Sequence, residues 1–346
     1  MKHLKQTFFI LLLLISATLY AQTYSIMFYN VENLFDTIRN PKIQDEDFTP
    51  QGAKRWDSRK YWEQIDRITE VFQKIGAATG GFPILIGVSE VENRDVVQDL
   101  ANSPRISAAR YNIVLHDESR DGRGINLAFL YRSDVIEYVS SKPIPVRFSD
   151  NTPSSRTRGI LWFTGKIDGE VFHFFNNHWP SRRGGQRASE PRRIDAATTL
   201  RYIVDSLQKA DPLANIVIMG DFNDDPNNRS VERTLRAKGN KNRLAQGDLF
   251  NPFHAMHRAG LGTLAFQDRW NLFDMVIVCQ NLSHGKENTF LLHRLERSNY
   301  YGFIFNRPFL VQQEGRFKGY PWRTYVGDVY QGGYSDHFPV YVYIRR

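Results

Sequence analysis

The chain has 346 residues, of which 41% are hydrophobic and 13% aromatic, so its composition excludes a disordered protein and can fill a sizeable core. Its 45 basic and 37 acidic residues give a formal charge of +8, which favours anionic partners, although solubility alone would explain the same excess. The single cysteine, Cys279, excludes an internal disulfide and a cysteine-rich zinc site.

Residues 1–21 have the pattern of a signal peptide. Lys2 and Lys5 precede an apolar run at 8–15, and small residues follow up to Ala21. The run is too short for a comfortable membrane span, although an N-terminal anchor is the alternative. We expect a mature chain of residues 22–346, secreted or periplasmic, monomeric and without an integral membrane segment.

The elements predicted after the leader alternate short apolar runs with a few amphipathic segments. A strand at 24–29 is followed by a polar loop at 36–57 and a helix at 58–75, with Ser58 as N-cap and Gly76 as its end. A second helix is predicted at 188–210. Strands are predicted at 83–88, 111–115, 125–131, 135–139, 159–167, 171–176, 216–219, 273–278 and 338–344.

Strands outnumber helices in this pattern, which favours two packed sheets flanked by helices over a doubly wound parallel sheet. No internal repeat or linker composition divides residues 22–346, so we expect one domain. The segment 280–333 is rich in aromatic and basic residues, and we interpret it as an insertion that decorates the fold.

Polar side chains recur where the apolar strands end. They would converge along one rim of the sheets, and a divalent cation would compensate for bringing carboxylates together. Oxygen ligands favour Mg²⁺, with Mn²⁺ or Ca²⁺ as alternatives, and the sequence has no His-x-x-x-His pair of a zinc site. The residues concerned are Asn30, Glu90, His178, Asp221, Asn223, Asp274, Asp336 and His337.

Each of these residues, taken alone, also has a structural interpretation. Asn30 could cap a turn, and a lone histidine such as His178 is more often structural than catalytic. Asp221 and Asn223 share a face only if their backbone stays extended, whereas Asp224 and Asp225 are interpreted as turn and cap residues. Neighbouring strand residues point to opposite faces, so Asp336 and His337 reach one site only from an irregular backbone.

The segments Met219-Gly-Asp-Phe-Asn-Asp224 and Ser335-Asp-His-Phe-Pro-Val340, with Glu90 and Asn30 in their contexts, resemble the endonuclease/exonuclease/phosphatase superfamily. The motifs occur in that family's order and cover nearly the whole mature chain. The resemblance implies a four-layered α/β sandwich, with two mixed sheets packed face to face and helices outside.

The same resemblance implies roles for the strand-end residues. Glu90 matches the main metal ligand, with Asn30 beside it and Asp336 as a further acidic residue near the metal. Asp221 matches the residue that aligns the attacking water, and Asn223 contacts metal or phosphate. His337 matches an essential histidine oriented by Asp274, and His178 matches a second histidine whose carboxylate partner is not evident.

Arginines near these motifs are candidates for gripping the substrate's phosphate: Arg123, Arg156, Arg182 and Arg183. A solvated loop at 181–193 is the alternative for the last two. Trp179, Trp322 and the tyrosines of 300–334 could stack on a base, or could simply pack the insertion.

These features favour an exported phosphodiesterase with nuclease-like activity. The first alternative is a phosphatase or phospholipase C-like enzyme that acts on phospholipid headgroups or small phosphoesters. The second, from another class, is a non-catalytic phosphate-ligand binding protein, which would be expected to have lost a metal ligand or the terminal histidine. The sequence retains both.

Overall fold

The computed structural model describes residues 22–116, 122–150, 158–286 and 289–346. The predicted signal peptide and Arg156 lie outside these residues. Within the described residues, no helix is long and apolar enough to cross a membrane.

The helices are α1 (Ser58–Thr79), α2 (Arg94–Asn102), α3 (Gln186–Ala210), α4 (His254–Arg258) and α5 (Gln280–His284). The strands of the first half are β1 (Thr23–Leu34), β2 (Leu85–Val91), β3 (Tyr111–Val114), β4 (Asn126–Arg132), β5 (Ile136–Ile144), β6 (Ile160–Ile167), β7 (Glu170–His178) and β8 (Asn215–Asp221). Those of the second half are β9 (Ala237–Lys238), β10 (Leu249–Phe250), β11 (Leu264–Phe266), β12 (Arg269–Asn271), β13 (Asp274–Cys279), β14 (Leu291–His293), β15 (Gly302–Ile304), β16 (Tyr325–Val326), β17 (Val329–Tyr330) and β18 (Val340–Arg345).

Two seven-stranded mixed sheets form the centre of the fold. The first has the order β14-β18-β1-β2-β4-β3, with β15 also paired to β18, and the second has the order β5-β6-β7-β8-β13-β10-β9. The parallel pairs are β1 with β2, β7 with β8, and β9 with β10, and the remaining pairs in these two sheets are antiparallel. This confirms the two-sheet architecture expected from the sequence.

Alternate residues of the central strands pack in opposite directions. In β1, Ile26 and Phe28 belong to the core shared with the second sheet, whereas Met27 and Tyr29 pack with α1 and α2. On the far side of the second sheet, Leu200 and Val204 of α3 complete its outer layer. The order is therefore helix, sheet, sheet, helix, which is the four-layered sandwich.

The ends of α1 differ from the prediction. Asp57, one residue earlier than Ser58, caps the helix by accepting a hydrogen bond from the Lys60 amide. Gly76 is buried within α1, and the helix ends at Gly80, whose φ of 79° suits glycine.

The segment 280–333, interpreted from the sequence as an insertion on the outside of the fold, is partly built into the first sheet. Its strands β14 and β15 both pair with β18, so part of the segment extends the first sheet. The rest carries the small hairpin β16–β17 and lies beside the ends of β1 and β18.

Candidate active site

Sheet topology brings the predicted polar residues to one edge of the sandwich. Because β1 and β2 are parallel, Asn30 and Glu90 lie together at their carboxyl ends. In the second sheet, His178 of β7 pairs with Asp221 of β8, and Asp221 pairs with Asp274 at the start of the antiparallel β13. The segment that leads into β18 meets the same edge and carries Asp336 and His337.

Glu90 projects into the site from a bulge. Its backbone has a φ of 67°, and the pairing of β2 with both neighbouring strands shifts register across it. A bulge re-aims the side chain of an otherwise buried strand. One carboxylate oxygen accepts from Asn30 Nδ2 at 3.3 Å and the other from the Asn33 amide at 2.9 Å.

Asn30 joins the two sheets at the level of the site. Its Nδ2 donates to Glu90 at 3.3 Å and to Asp221 Oδ2 at 3.2 Å, while its Oδ1 accepts from the Glu32 amide at 3.1 Å. These contacts hold the two carboxylates at a set separation, and the expected role of Asn30 at the metal stays a prediction.

His178 has the carboxylate neighbours that sequence reasoning could not identify. Its Nε2 lies 3.6 Å from Glu90 and 3.5 Å from Asp221. Burial and the nearby charges of Arg158 and Arg123 hold the pKa of His178 well below its ordinary value, so the ring is neutral at pH 7.

The residue before Asp221 is a glycine, Gly220, which allows β8 to lie close to β7. Gly220 has a φ of 152°, and a Cβ there would lie 2.2 Å from the carbonyl oxygen of Asn177. Burial is the main reason that the pKa of Asp221 rises to about 7. A carboxyl group with such a pKa is suited to proton transfer near neutral pH.

The backbone does not stay extended beyond Asp221, so the condition for one shared face is not met. Asn223 has a φ of 49°, its amide donates to Asp221 Oδ1 at 2.9 Å, and its side chain donates to the Trp179 carbonyl at 3.0 Å. The resulting turn places Asn223 under the loop that follows His178.

Asp224 is more than a turn residue. It is fully buried and forms an ion pair with the buried Arg193, 2.8 Å away, while Ser230 donates to it at 2.6 Å. Arg193 therefore belongs to the interior and not to a solvated basic loop.

Arg182 is engaged in the same loop. Its guanidinium donates to acceptors on Gln186, Asn223, Asp224, Asp225, Asn228 and Asn271. With all five N–H groups directed at protein, the structure favours a bracing role for Arg182 over the phosphate contact expected from sequence. Arg183 is exposed, and among the described contacts none joins it to a residue of the centre.

His337 and Asp274 form the pair that the sequence predicted. His337 Nδ1 lies 2.7 Å from Asp274 Oδ2, which leaves Nε2 facing Asp221 at 3.9 Å. Burial lowers the pKa of His337, but the carboxylates of Asp274, Asp336 and Asp221 outweigh it and raise that pKa well above its ordinary value.

Thr263 was not anticipated from the sequence. It is fully buried, and its hydroxyl donates to Asp274 Oδ2 at 2.6 Å, the same oxygen that faces His337. Its carbonyl accepts from the Phe338 amide at 2.8 Å, so one residue contacts both sides of the pair. Thr263 was missed because the other site residues were found as polar side chains at the ends of apolar strands, and its segment has no such pattern.

The stretch before β18 is irregular, as the two adjacent site residues require. Ser335 Oγ donates to the Asn30 carbonyl at 2.7 Å and accepts from the His337 amide at 3.1 Å. Asp336 lies at the rim, where Arg323 Nη2 is 3.0 Å from its Oδ2. Arg323 was likewise missed by sequence reasoning.

Two further arginines lie near the centre. Arg158 is buried and donates to the carbonyls of His178 and Trp179. Burial raises the pKa of Glu90, and the charges of Arg158 and Arg123 partly offset that rise. Trp179 is only 1% exposed, so the expectation that it could stack on a base is wrong. Trp322 packs under Arg67.

The donor set fits a hard divalent cation. Burial and the proximity of Asp336 raise the pKa values of both Glu90 and Glu32, which indicates concentrated negative charge that a cation would compensate. Asp221, Asp274 and His337 also offer ligand atoms within 4.8 Å of one another. Asp274 Oδ2, however, is already bonded to His337 and Thr263, so the carboxylates of Glu90 and Asp336 are better suited.

The fold and this centre define a phosphoester hydrolase that depends on a divalent metal. The profile of the endonuclease/exonuclease/phosphatase family matches residues 25–346, and the chain belongs to that family. No curated protein matches the sequence.

Solved structures of low identity share the fold. An endonuclease/exonuclease/phosphatase family protein from Bacteroides thetaiotaomicron is 17% identical, with a TM-score of 0.56 over 94% of this chain and 98% of that one. A mannosyl-6-phosphatase from the same organism is 16% identical, with a TM-score of 0.55 over 93% and 99%. TDP2 from D. rerio, complexed with a single-strand DNA product, is 14% identical, with a TM-score of 0.55 over 94% and 99%.

Proposed function

We propose that this protein is an exported, Mg²⁺-dependent phosphodiesterase that cleaves nucleic acid or nucleotide diesters. The observation that carries the proposal is a pair of clefts, each of which has a lining residue in contact with a carboxylate of the centre. A phosphodiester has two substituents on its phosphorus, and both need room when the phosphate lies at the metal.

The first, which we call the hairpin cleft, lies between the β11–β12 hairpin and residues 312–321. It has a volume of about 480 Å³ and includes Phe266, Phe317, Tyr320 and Arg316 in its lining. Phe266 is 63% exposed, as an aromatic surface for a base would be. Arg323 lines this cleft and contacts Asp336, which connects the cleft to the centre.

The second, which we call the loop cleft, lies beside the polar loop after β1. It has a volume of about 570 Å³, and Asn33, Phe35 and Arg123 are among its lining residues. The Asn33 amide donates to Glu90 at 2.9 Å, so one lining residue of this cleft contacts the centre. The charge of Arg123 acts on both Glu90 and His178, which supports Arg123 as a candidate for contacting a substrate phosphate.

In the proposed reaction, Glu90 and Asp336 would hold the metal, and Asn30 sets the separation of Glu90 from Asp221. The metal would supply charge neutralisation on the phosphoryl oxygens and on the leaving oxygen. Asp221 and His337 act as a pair that aligns the water: Asp221 accepts its proton, and the protonated His337, held in place by Asp274, supplies positive charge beside it. Neutral His178 is available to donate a hydrogen bond to the phosphate.

The export part of the proposal depends on residues 1–21 alone. Their charged start, apolar run and small-residue end are those of a cleaved leader. N-terminal sequencing of the protein recovered from the medium or periplasm tests this, with a mature start at residue 22 as the expected result.

A substrate panel tests the reaction. Plasmid DNA, RNA, a nucleoside p-nitrophenyl phosphodiester, sphingomyelin and mannose 6-phosphate are compared with Mg²⁺ and with EDTA. We expect Mg²⁺-dependent cleavage of the nucleic acid and nucleotide substrates. Preference for mannose 6-phosphate or sphingomyelin would support the phosphatase or phospholipase C-like alternative, and no turnover with any divalent metal would support a binding protein.

His337→Ala provides the control for the active centre. Loss of an acid–base group that is oriented by Asp274 should lower kcat by about 100–10,000-fold while the protein still folds. His293→Ala, on β14 away from the centre, is the matched variant and should keep full activity. Wild-type turnover by a well-folded His337→Ala protein would contradict the mechanism.

A further inference from the structure

Arg323 combines two contacts that no other described arginine at the centre shares. It pairs with Asp336, a residue proposed to hold the metal, and it lines the hairpin cleft. We infer that Arg323 occupies Asp336 before the metal binds, and that the metal displaces its guanidinium toward the phosphate of the substrate. This inference rests on the proposed function, and it adds a substrate-binding residue to it.

The backbone around Arg323 is held on both sides. The amides of Tyr334 and Ser335 donate to the Trp322 carbonyl at 2.6 and 3.2 Å, and the Thr324 amide donates to Glu32 at 2.7 Å. A Cβ at Gly333 would lie 2.3 Å from the Arg323 carbonyl oxygen, so the chain there is closely packed. A rearrangement is therefore confined to the side chain.

The side chain itself is held less firmly than the backbone. It is 36% exposed, and its described ion pair is a single contact of 3.0 Å from Nη2 to Asp336 Oδ2. A half-exposed ion pair with a single contact is weak. A divalent cation bound by Asp336 and Glu90 carries twice the charge of the guanidinium, so it interacts more strongly with Asp336. The cation and the guanidinium repel each other when both approach Asp336, so metal binding favours release of Arg323.

Two neighbouring arginines, Arg182 and Arg158, do not offer the same exchange. Arg182 directs its N–H groups at six protein acceptors, and Arg158 is buried against the carbonyls of His178 and Trp179. Released from Asp336, Arg323 presents a planar, permanently charged fork at the mouth of the hairpin cleft. Such a fork matches a pair of phosphate oxygens.

If Arg323 exchanges between Asp336 and the substrate, its loss should have opposite effects on metal affinity and on kcat/KM. Arg323→Gln removes the competitor for Asp336, so the protein should bind Mn²⁺ about 2–5-fold more tightly. The same variant loses its phosphate contact, so kcat/KM for a nucleoside p-nitrophenyl phosphodiester should fall by about 10–100-fold. A purely structural role would weaken both properties together.

The experiment is calorimetric titration of the protein with Mn²⁺ alone, together with steady-state kinetics and thermal unfolding. Arg323→Lys keeps the charge without the fork, so it should bind Mn²⁺ like wild type but show reduced kcat/KM. It also provides the test if Arg323→Gln does not fold. Arg105→Gln is the matched control, because Arg105 is 34% exposed and pairs with Asp66 on the surface.

Unchanged or weaker Mn²⁺ binding by folded Arg323→Gln would overturn the inference, as would wild-type kcat/KM in Arg323→Lys. These outcomes differ from failure of the proposed function. In that case the wild-type protein would itself bind no Mn²⁺ and cleave no phosphodiester.

Discussion

At the scale of single residues, the two histidines of the centre have opposite charge preferences. His178 is neutral because it is buried near Arg158 and Arg123, whereas His337 is protonated because three carboxylates surround it. Groups whose environments move their pKa values apart are suited to different tasks in one reaction. His178 can therefore donate a neutral hydrogen bond where His337 supplies positive charge or a proton.

Thr263 is expected to act on the reaction through Asp274. Thr263→Val removes the hydroxyl at nearly constant volume and should lower kcat by about 10–100-fold, because Asp274 loses a hydrogen bond that positions it. KM should change little, and Thr263→Ser, which keeps the hydroxyl, should have nearly wild-type activity. Steady-state kinetics of both variants measure this.

A double-mutant cycle separates positioning from a general loss of packing. In an Asp274→Ala background, Thr263→Val should have almost no further effect on kcat, because the group on which it acts is gone. If the reductions in kcat caused by the two substitutions instead multiply, Thr263 does not act through Asp274.

At the scale of elements, several residues of the candidate site depend on an irregularity at a strand end. Glu90 stands on a bulge, Asn223 is itself in a left-handed conformation, and Asp336 with His337 precede β18 in irregular backbone. Regular strands would send alternate side chains to opposite faces. The irregular ends allow adjacent or closely spaced residues to meet.

Asn176 of β7 couples the two sheets beneath the centre. It is fully buried, and its Nδ2 donates to the carbonyls of Val88 in β2 and Ala128 in β4, each at 2.9 Å. Asn176→Leu would leave two buried carbonyls without this donor and should lower the free energy of unfolding by about 2–4 kcal/mol. Denaturant unfolding measures the change.

Asn112→Leu, at an exposed position of the edge strand β3, is the control and should alter stability by less than about 0.5 kcal/mol. Equal stability of Asn176→Leu and wild type would show that the sheets are held in place without this contact. We also expect reduced turnover in Asn176→Leu, because His178 is two residues along the same strand.

At the scale of the whole molecule, the centre lies where both sheets end, and carboxylates from each contribute to it. A cation bound there would stabilise the folded state, because the unfolded chain scatters its ligands. At Mg²⁺ concentrations about 100-fold above Kd, Tm should rise by about 3–5 °C relative to the protein in EDTA. Scanning calorimetry measures the shift.

The paired variant for this measurement is Glu90→Gln, which removes the charge of the proposed main ligand at constant size. It should abolish most of the Mg²⁺-dependent rise in Tm, and its Tm in EDTA should equal or exceed that of wild type because a buried charge is gone. A Tm that is insensitive to Mg²⁺ in the wild-type protein would count against the site.

Much of this arrangement was predictable from residues near one another in sequence. Apolar runs that end in Asn30, Glu90 and Asp221, and one that begins at Asp274, define buried strands with polar ends, since burial and pairing act on local patterns. The pairing of His337 with Asp274, which are far apart in the chain, was implied by the family resemblance. The two-sheet fold followed from the number and spacing of the strands.

Other features depended on contacts between distant segments. Whether Arg182 faces substrate or Asp224, whether Trp179 is exposed, and which groups reach Asp274 and Asp336 are decided by packing between segments far apart in the chain. An arginine has the same local sequence signature in a solvated loop and in an ion pair. The sequence alone therefore determined the strands, their polar ends and the family, while the tertiary structure decided how Thr263 and Arg323 join the centre, because hydrogen bonds and ion pairs form only where folding places both partners.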